Sequence, residues 1–439
     1  MAEFMERRIS VRRAAVGILT GADKEGRFVD EVLAARLGEY EAADRRLLQE
    51  ITYGAVRHQN TLDRLLKAYL KVPVWKQRPH LRWALRVGAY QLVYLARIPA
   101  HAAVNQTLEG IKGIDGVTSR EVGFVNAVLH NLVDDVHRKT GEEPAVRDDP
   151  TILPTRGGYC HFKRPVLPLY RLGNVEHLSF KYSHPRWLVD RWLGRYGEEE
   201  CRRLFEANNR IPLTTARLTR LAPSREALLE KLRGEGFEVE EGPLEETLIF
   251  LRSGGLANSE ALDDGWFQIQ DLTAIELGRT LVPPPGARVL DLCAAPGGKA
   301  GQLLEAVGPE GHLFAADRSE EKLARVRENL ERLGGNFTLV KVPENPEEIR
   351  LKEQFSHVLV DAPCTNTGVL ARRPDARWRL RKRDLAQLAN LQSRLLDAAV
   401  RHLAPGGRLL YATCSIEPEE NEDQVAACVG RHPELTELR

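Results

Sequence analysis

Val289-Leu-Asp-Leu-Cys-Ala-Ala-Pro-Gly-Gly-Lys299 is the stretch from which the fold can be read. Val289 to Leu292 is an apolar run of the length of one buried strand, Cys293 to Gly298 is a turn of small residues, and a helix is expected to begin near Lys299. Gly297 and Gly298 let the backbone approach a ligand and leave the N–H groups of the helix start free to donate. A P-loop would need glycine where Cys293 stands and Ser or Thr where Ala300 stands, so that reading fails. The spaced glycines of a dinucleotide fingerprint are missing as well. One helix further on, His312-Leu-Phe-Ala-Ala-Asp317 is a second strand that closes on a carboxylate, where open α/β sheets commonly hold a ribose diol. A glycine turn after one strand and an acid ending the next suit S-adenosylmethionine.

Outward from this loop the pattern continues in alternation. Strands are expected at 288–292, 312–316, 337–342, 357–360 and 408–411 with helices between them, which makes 273–439 an α/β doubly wound domain with a parallel sheet. Upstream, 183–272 reads as a small α+β module, with a helix over 185–205, strands at 213–221, 247–251 and 266–269, and a helix over 224–236 capped by Ser224. Residues 138–182 are rich in Pro, Gly and charge and read as a linker, although Tyr159, Phe162, Tyr170 and Phe180 suit packing against something. Residues 1–137 read as all-α: Leu81, Leu85, Leu92 and Leu95 share a helix face, as do Ala102, Leu108 and Ile111, and Pro73, Pro79 and Pro99 mark helix boundaries.

At 439 residues, two or three domains are expected. Hydrophobic residues at 43% and charged residues at 28% are globular proportions and exclude a disordered or membrane chain. No apolar run reaches the roughly 18 residues of a membrane span, and Met1 to Ser10 lacks a signal-peptide core, so the expected location is cytoplasmic. The six cysteines form no C-x-x-C pair, and Cys160 with His161 offers two ligands without partners, so reduced thiols and no metal are expected. The net charge of +1 argues nothing by itself. Its distribution does: Arg64, Lys67, Lys71, Lys76, Arg78, Arg82, Arg86 and Arg97 meet no acid between them, and Arg372, Arg373, Arg377, Arg379, Arg381, Lys382 and Arg383 meet only Asp375. Either cluster can attract a phosphate backbone, and a solvated helix face is the other reading of the first.

Two thiols then stand out. Val358-Leu-Val-Asp-Ala-Pro-Cys364 and Tyr411-Ala-Thr-Cys414 each place a cysteine just past the carboxyl end of a strand, the edge along which open sheets bind ligands. Asp361-Ala-Pro-Cys364 with Thr413-Cys414-Ser415, behind Asp291-Leu-Cys-Ala-Ala-Pro-Gly-Gly-Lys299, resembles the RNA cytosine-5 methyltransferases. Within them the chain is similar to the bacterial Sun/Fmu type, which modify 16S ribosomal RNA and carry a NusB-like helical domain. Pro99-Ala-His-Ala-Ala-Val-Asn105 and Phe124-Val-Asn-Ala-Val-Leu129 match that domain, and His184-Pro-Arg-Trp187, Glu206-Ala-Asn-Asn209 and Gln270-Asp271 match the module before the catalytic domain.

The resemblance implies that Cys414 is the nucleophile on C6 of a cytosine, that Cys364 assists product release, and that Asp361 and Lys299 complete the catalytic set. It implies S-adenosyl-L-methionine contacts from Cys293, Ala294, Ala295, Pro296, Gly297, Gly298, Lys299, Asp317 and Asp361, with Glu344 where relatives carry an acid-containing turn near the adenine. Arg372, Arg373, Arg377 and Trp378 are expected to meet RNA, with a core position the other reading of Trp378. The expected partner is 16S ribosomal RNA or an assembling small subunit, and the chain is expected to act as a monomer. Transfer RNA as the target and a non-catalytic assembly factor are the competing readings. Three departures from the family are Lys341-Val-Pro-Glu-Asn345 where relatives carry an Asp-Gly-Arg-like turn, with Glu344 as the substitute acid, the length of the linker around Gly157-Gly-Tyr-Cys-His161, and the end at Arg439, which leaves the last hairpin in question.

Overall fold

The computed structural model describes residues 9–252 and 254–438; residues 1–8, part of the stretch expected to carry no signal peptide, lie outside the described residues, as do Ser253 and Arg439. The chain divides into two compact units, 1–211 with 369–379 and 212–368 with 380–439.

The first unit is built on helices Val11–Glu25, Val29–Leu37, Ala42–Arg57, Gln59–Leu66, Pro79–Tyr94, Ala100–Lys112 and Ser119–Asp135. Their ends follow local chemistry. Ser10 caps the first, Pro79 occupies the first turn of the fifth, Pro99 precedes the sixth, and Thr118 with Glu121 forms a capping box on the seventh. Leu81, Leu85 and Leu92 are buried along Pro79–Tyr94, which runs through the middle of this core.

The stretch read as a linker is folded. It forms β1 (Val136–Thr140), β2 (Ile152–Thr155) and β3 (Gly158–Phe162), an antiparallel sheet in the order β1-β3-β2. Leu153, Cys160 and Phe162 bury into the helical core, which gives this sheet the apolar face it needs. Helices Val175–Lys181, Arg186–Tyr196 and Glu198–Asn209 follow and belong to the first compact unit, which runs to Ile211. Asp148 binds Lys181 at 2.7 Å and Arg202 at 3.0 Å in their midst.

The second unit begins with β4 (Thr214–Leu218), β5 (Val239–Glu241), β6 (Thr247–Phe250) and β7 (Phe267–Ile269), antiparallel in the order β5-β6-β4-β7. Ser224 caps helix Arg225–Gly234 by accepting from Ala227 N. The parallel sheet follows: β8 (Arg288–Asp291), β9 (His312–Asp317), β10 (Phe337–Lys341), β11 (Phe355–Asp361) and β12 (Leu403–Ala412), in the order β10-β9-β8-β11-β12. Both faces are covered. Val289, Leu313, Ala315 and Leu359 pack on one side with Leu303, Leu304, Val326 and Leu330, while Leu290, Ala316, Val358 and Val360 pack on the other with Leu395 and Ala399. Because β8 has β9 on one side and β11 on the other, the strand order reverses there. The crevice outside the carboxyl ends of β8 and β11 is therefore the expected ligand site. Among the described residues no helix is long and apolar enough to cross a membrane.

Candidate active site

Strand register brings the site together. On β11, Asp361 stands opposite Ala412 of β12 and Leu359 stands opposite Asp291 of β8, so the three strands end at nearly one level. Cys364 follows β11 through Ala362-Pro363, Cys414 follows β12 through Thr413, and the two Sγ atoms lie 2.9 Å apart. Gly368 N donates to Cys414 O at 2.9 Å, and a Cβ on Gly368 would sit 2.9 Å from that same oxygen, so only glycine permits the approach. Asn366 adopts a positive φ of 61° and donates to Cys364 O at 2.9 Å, while its Oδ1 faces Cys414 Sγ at 3.2 Å.

Electrostatics separate the groups. The contact with Cys414, then burial, then the charge of Cys414 push the Cys364 thiol well above the usual thiol range. Lys299 Nζ donates to Asp361 Oδ2 at 2.6 Å. Asp291 is fully buried, and its Oδ2 has no hydrogen-bond partner within the chain. Burial, reinforced by the charge of Asp361 and opposed by Lys299, pushes its carboxyl up to about 7. Burial and then Asp291 push the Cys293 thiol up in turn.

The loop between β8 and helix Gly298–Val307 is tied down from both sides: Ala294 N donates to Ala316 O at 2.9 Å, and Asn329 Nδ2 donates to Pro296 O at 2.8 Å. Gly297 has φ of 112°, a conformation that L side chains rarely adopt. Asp317 accepts from Ser319 N at 3.0 Å at the end of β9, and Glu344 is exposed and paired with Arg318 at 2.9 Å.

Comparison with known proteins gives this geometry its context. The chain is 34% identical over 432 residues to ribosomal RNA small subunit methyltransferase B of Klebsiella pneumoniae, covering 98% of this chain and 92% of that protein. It belongs to that family. The namesake from Escherichia coli is 33% identical, with 97% and 91% covered. Residues 279–438 match the family of the 16S rRNA methyltransferase RsmB/F, residues 9–134 the NusB family, and residues 184–255 the ferredoxin-like domain of RsmF/B-like methyltransferases. Among solved structures, PH0851 aligns with a TM-score of 0.76 at 26% identity, covering 97% of this chain and 89% of its own. A methyltransferase homologue from Pyrococcus horikoshii aligns with a TM-score of 0.50 at 31% identity, covering 57% and 80%.

For this RsmB/F-family chain the structure brings Cys364, Cys414, Asp361, Lys299 and the loop 293–298 to one sheet edge. It does not do the same for every residue expected to meet RNA. Arg377 is fully buried, donating to Ser183 O (2.9 Å), Asn208 O (3.0 Å), Asn209 Oδ1 (3.0 Å) and Leu370 O (3.3 Å) within the first unit. Trp378 packs against the helical core and donates to Val56 O at 2.7 Å. The guanidinium of Arg377 is enclosed and its Nη donors are spent on internal acceptors, which gives it a structural role, while Trp378 is partly buried with its indole N–H on an internal carbonyl. Arg372 and Arg373 stay partly exposed, Arg373 within 3.5 Å of Asp30 and over the Phe28 ring. The first basic cluster is likewise thinned by acids distant in sequence: Arg86 pairs with Asp63, Arg82 with Asp23 and Arg78 with Glu121.

Two residues that sequence reasoning passed over sit against the cysteine loops. Glu420 and Gln392 are both fully buried and bonded to each other at 2.9 Å. A buried Glu beside Pro418 leaves no local trace, and only its tertiary partners reveal it. Among the described residues no group of three or more His, Cys, Asp or Glu side chains could hold a metal ion.

Proposed function

We propose that the chain methylates C5 of a cytosine in 16S ribosomal RNA through a covalent adduct on Cys414, using S-adenosylmethionine as donor. The observation that carries this reading is the pair of thiols 2.9 Å apart at the sheet edge beside the Lys299–Asp361 pair. C5 of cytosine is a poor nucleophile, so the ring must first be activated. The Cys414 thiolate adds to C6, forming an S–C6 bond and pushing the C5=C6 electrons onto C5. Asp361 accepts a hydrogen bond from the cytosine edge at N3 or the amino group, which favours protonation at N3, and Lys299 orients Asp361. A base stacked in a helix cannot present C6 to a thiol, so the nucleotide must be splayed out or flipped.

The donor set fits the cofactor. Asp291 Oδ2 is a buried carboxylate oxygen without a partner in the chain, beside a loop that leads into a helix start. Asp317 ends the neighbouring strand with a second acid. Residues 293–298, Lys299, Asp317, Asp361 and Glu344 would hold S-adenosylmethionine, which when bound supplies an electrophilic methyl group to C5.

Release falls to Cys364. Two of the causes that keep its thiol protonated are Cys414 itself. Once the Cys414 sulfur is a neutral thioether those two causes are gone and burial alone opposes ionisation, so that Cys364 can yield its own proton to solvent and act as a base. Its thiolate then takes the C5 proton, the C5–H electrons restore C5=C6, and the S–C6 bond breaks with its electron pair returning to Cys414. Arg372 and Arg373 are the remaining basic candidates for flanking phosphates.

The test is a pair of variants with 16S ribosomal RNA as substrate. Cys414→Ala is expected to abolish methyl transfer, and Cys364→Ala to leave a protein–RNA adduct that survives a denaturing gel. Full activity in Cys414→Ala would overturn the mechanism. Bisulfite sequencing of 16S ribosomal RNA from cells with and without the protein tests the target.

A further inference from the structure

We infer that Glu420 and Gln392 are positioning residues that fix Cys364, and through it set the rate at which the covalent adduct is released; this rests on the reading above. Glu420 lies in the turn Pro418–Glu420 that follows Cys414, held by Tyr411 Oη donating to its main-chain oxygen at 2.8 Å. Its carboxylate reaches back to the other cysteine loop. Thr365 N donates to Oε1 at 3.0 Å and to Oε2 at 3.3 Å, and Thr365 Oγ1 donates to Oε2 as well. Gln392, on helix Lys382–His402, donates from Nε2 to Glu420 Oε1 at 2.9 Å and to Pro363 O at 2.9 Å. The residues immediately before and after Cys364 are thus gripped by one buried carboxylate–amide pair.

The grip bears first on Cys364. Cys414 is held partly through the same loop, its N–H donating to Cys364 Sγ at 3.3 Å and its carbonyl accepting from Gly368 N at 2.9 Å, and Thr413 beside it donates to Asn421 Oδ1 at 2.6 Å. Glu420 bears directly on the Cys364 loop and reaches the Cys414 loop through hydroxyls, with Thr365 Oγ1 and Thr367 Oγ1 each 3.1 Å from Ser415 Oγ. A carboxylate suits this place because Thr365 N–H, Thr365 O–H and the Gln392 amide are all donors converging on two oxygens. An amide at position 420 would turn an N–H group toward one of those donors and break that contact. Proton transfer from C5 to the Cys364 sulfur depends steeply on position, and the grip bears directly on the residues flanking Cys364 while it reaches Cys414 only through that loop.

The experiment uses the full chain, 16S ribosomal RNA and S-adenosylmethionine. It compares Glu420→Gln, Gln392→Met and Thr365→Val with Cys364→Ala, and takes Leu395→Ala on the same helix as a comparator for general destabilisation. First-turnover methyl transfer, steady-state kcat and adduct on a denaturing gel are read together. Glu420→Gln and Gln392→Met are expected to keep first-turnover transfer, accumulate adduct and lose kcat on the order of tenfold to a hundredfold. Thr365→Val should fall between them and the wild type, and Leu395→Ala should show no adduct. Should Glu420→Gln fail to fold, the other two variants carry the test. Adduct in Cys364→Ala but in none of the three overturns the inference alone. No adduct in Cys364→Ala overturns the underlying reading and this inference with it.

Discussion

Asp291 offers the sharpest quantitative test, because its burial is complete and an isosteric replacement exists. Its carboxyl is pushed from 3.8 up to about 7, first by burial and then by Asp361. Between those values the folded chain holds a proton that the unfolded chain has released, so stability falls as pH rises through that window. The full loss is about 4 kcal/mol, of which about 3 kcal/mol falls between pH 5 and pH 8. Asp291→Asn keeps the shape and removes the titration. The variant should therefore match the wild type near pH 4, exceed it at pH 8, and show a flatter dependence between. Urea titrations at pH 5 and pH 8, with the transition of each unit fitted separately, measure this. Parallel pH profiles for wild type and variant would refute the assignment of that charge cost to Asp291.

Arg377→Met should destabilise the first unit by about 3 kcal/mol, since it strands buried acceptors that the guanidinium now satisfies. The RNA affinity of the folded protein should not change, and a variant of normal Tm with weakened RNA binding would restore the RNA-contact expectation. Asp148→Asn acts in the opposite pH range from Asp291. Burial pushes the Asp148 carboxyl up, but hydrogen bonds from Lys181 and Arg202, with their charges, outweigh it and bring it down to about 2. At neutral pH the variant should lose about 2 kcal/mol. That advantage of the wild type is present above the ordinary value of 3.8 and disappears as pH falls through about 2, which acid titration of both proteins by circular dichroism would follow.

What could be read from the sequence depended on whether the signal was local. The strand-turn-helix at 289–299, the acid at Asp317 and the cysteines past β11 and β12 each declare themselves within a few residues, and parallel pairing then dictates that Cys364 and Cys414 meet. The cap at Ser224 and the breaks at Pro79 and Pro99 are local in the same way. Whether a charge is exposed is not local. Arg377 in a run of basic residues gives no sign that Ser183, Asn208 and Asn209 will enclose it, and Arg86 gives none that Asp63 will pair with it. The sheet β1–β3 was hidden for another reason. Its strands are short, Pro154 interrupts the pattern, and it gains an apolar face only by burying Leu153, Cys160 and Phe162 in a core formed by earlier helices. The two-residue connection Arg156-Gly157 between β2 and β3 was the available hairpin signal.

The segment 369–379 has a consequence for anyone who would take the chain apart. It belongs to the first unit, yet both of its flanks belong to the second, so the polypeptide passes between the units at 211/212, 368/369 and 379/380. No single cut yields two whole pieces. A catalytic fragment starting after Ile211 carries Arg377 and Trp378 away from the acceptors they satisfy, and the N-terminal fragment keeps Ser183, Asn208 and Val56 with their carbonyls unmet. Chimaeras between relatives would have to exchange this returning segment together with residues 1–211, even though residues 212–368 lie between them on the linear map.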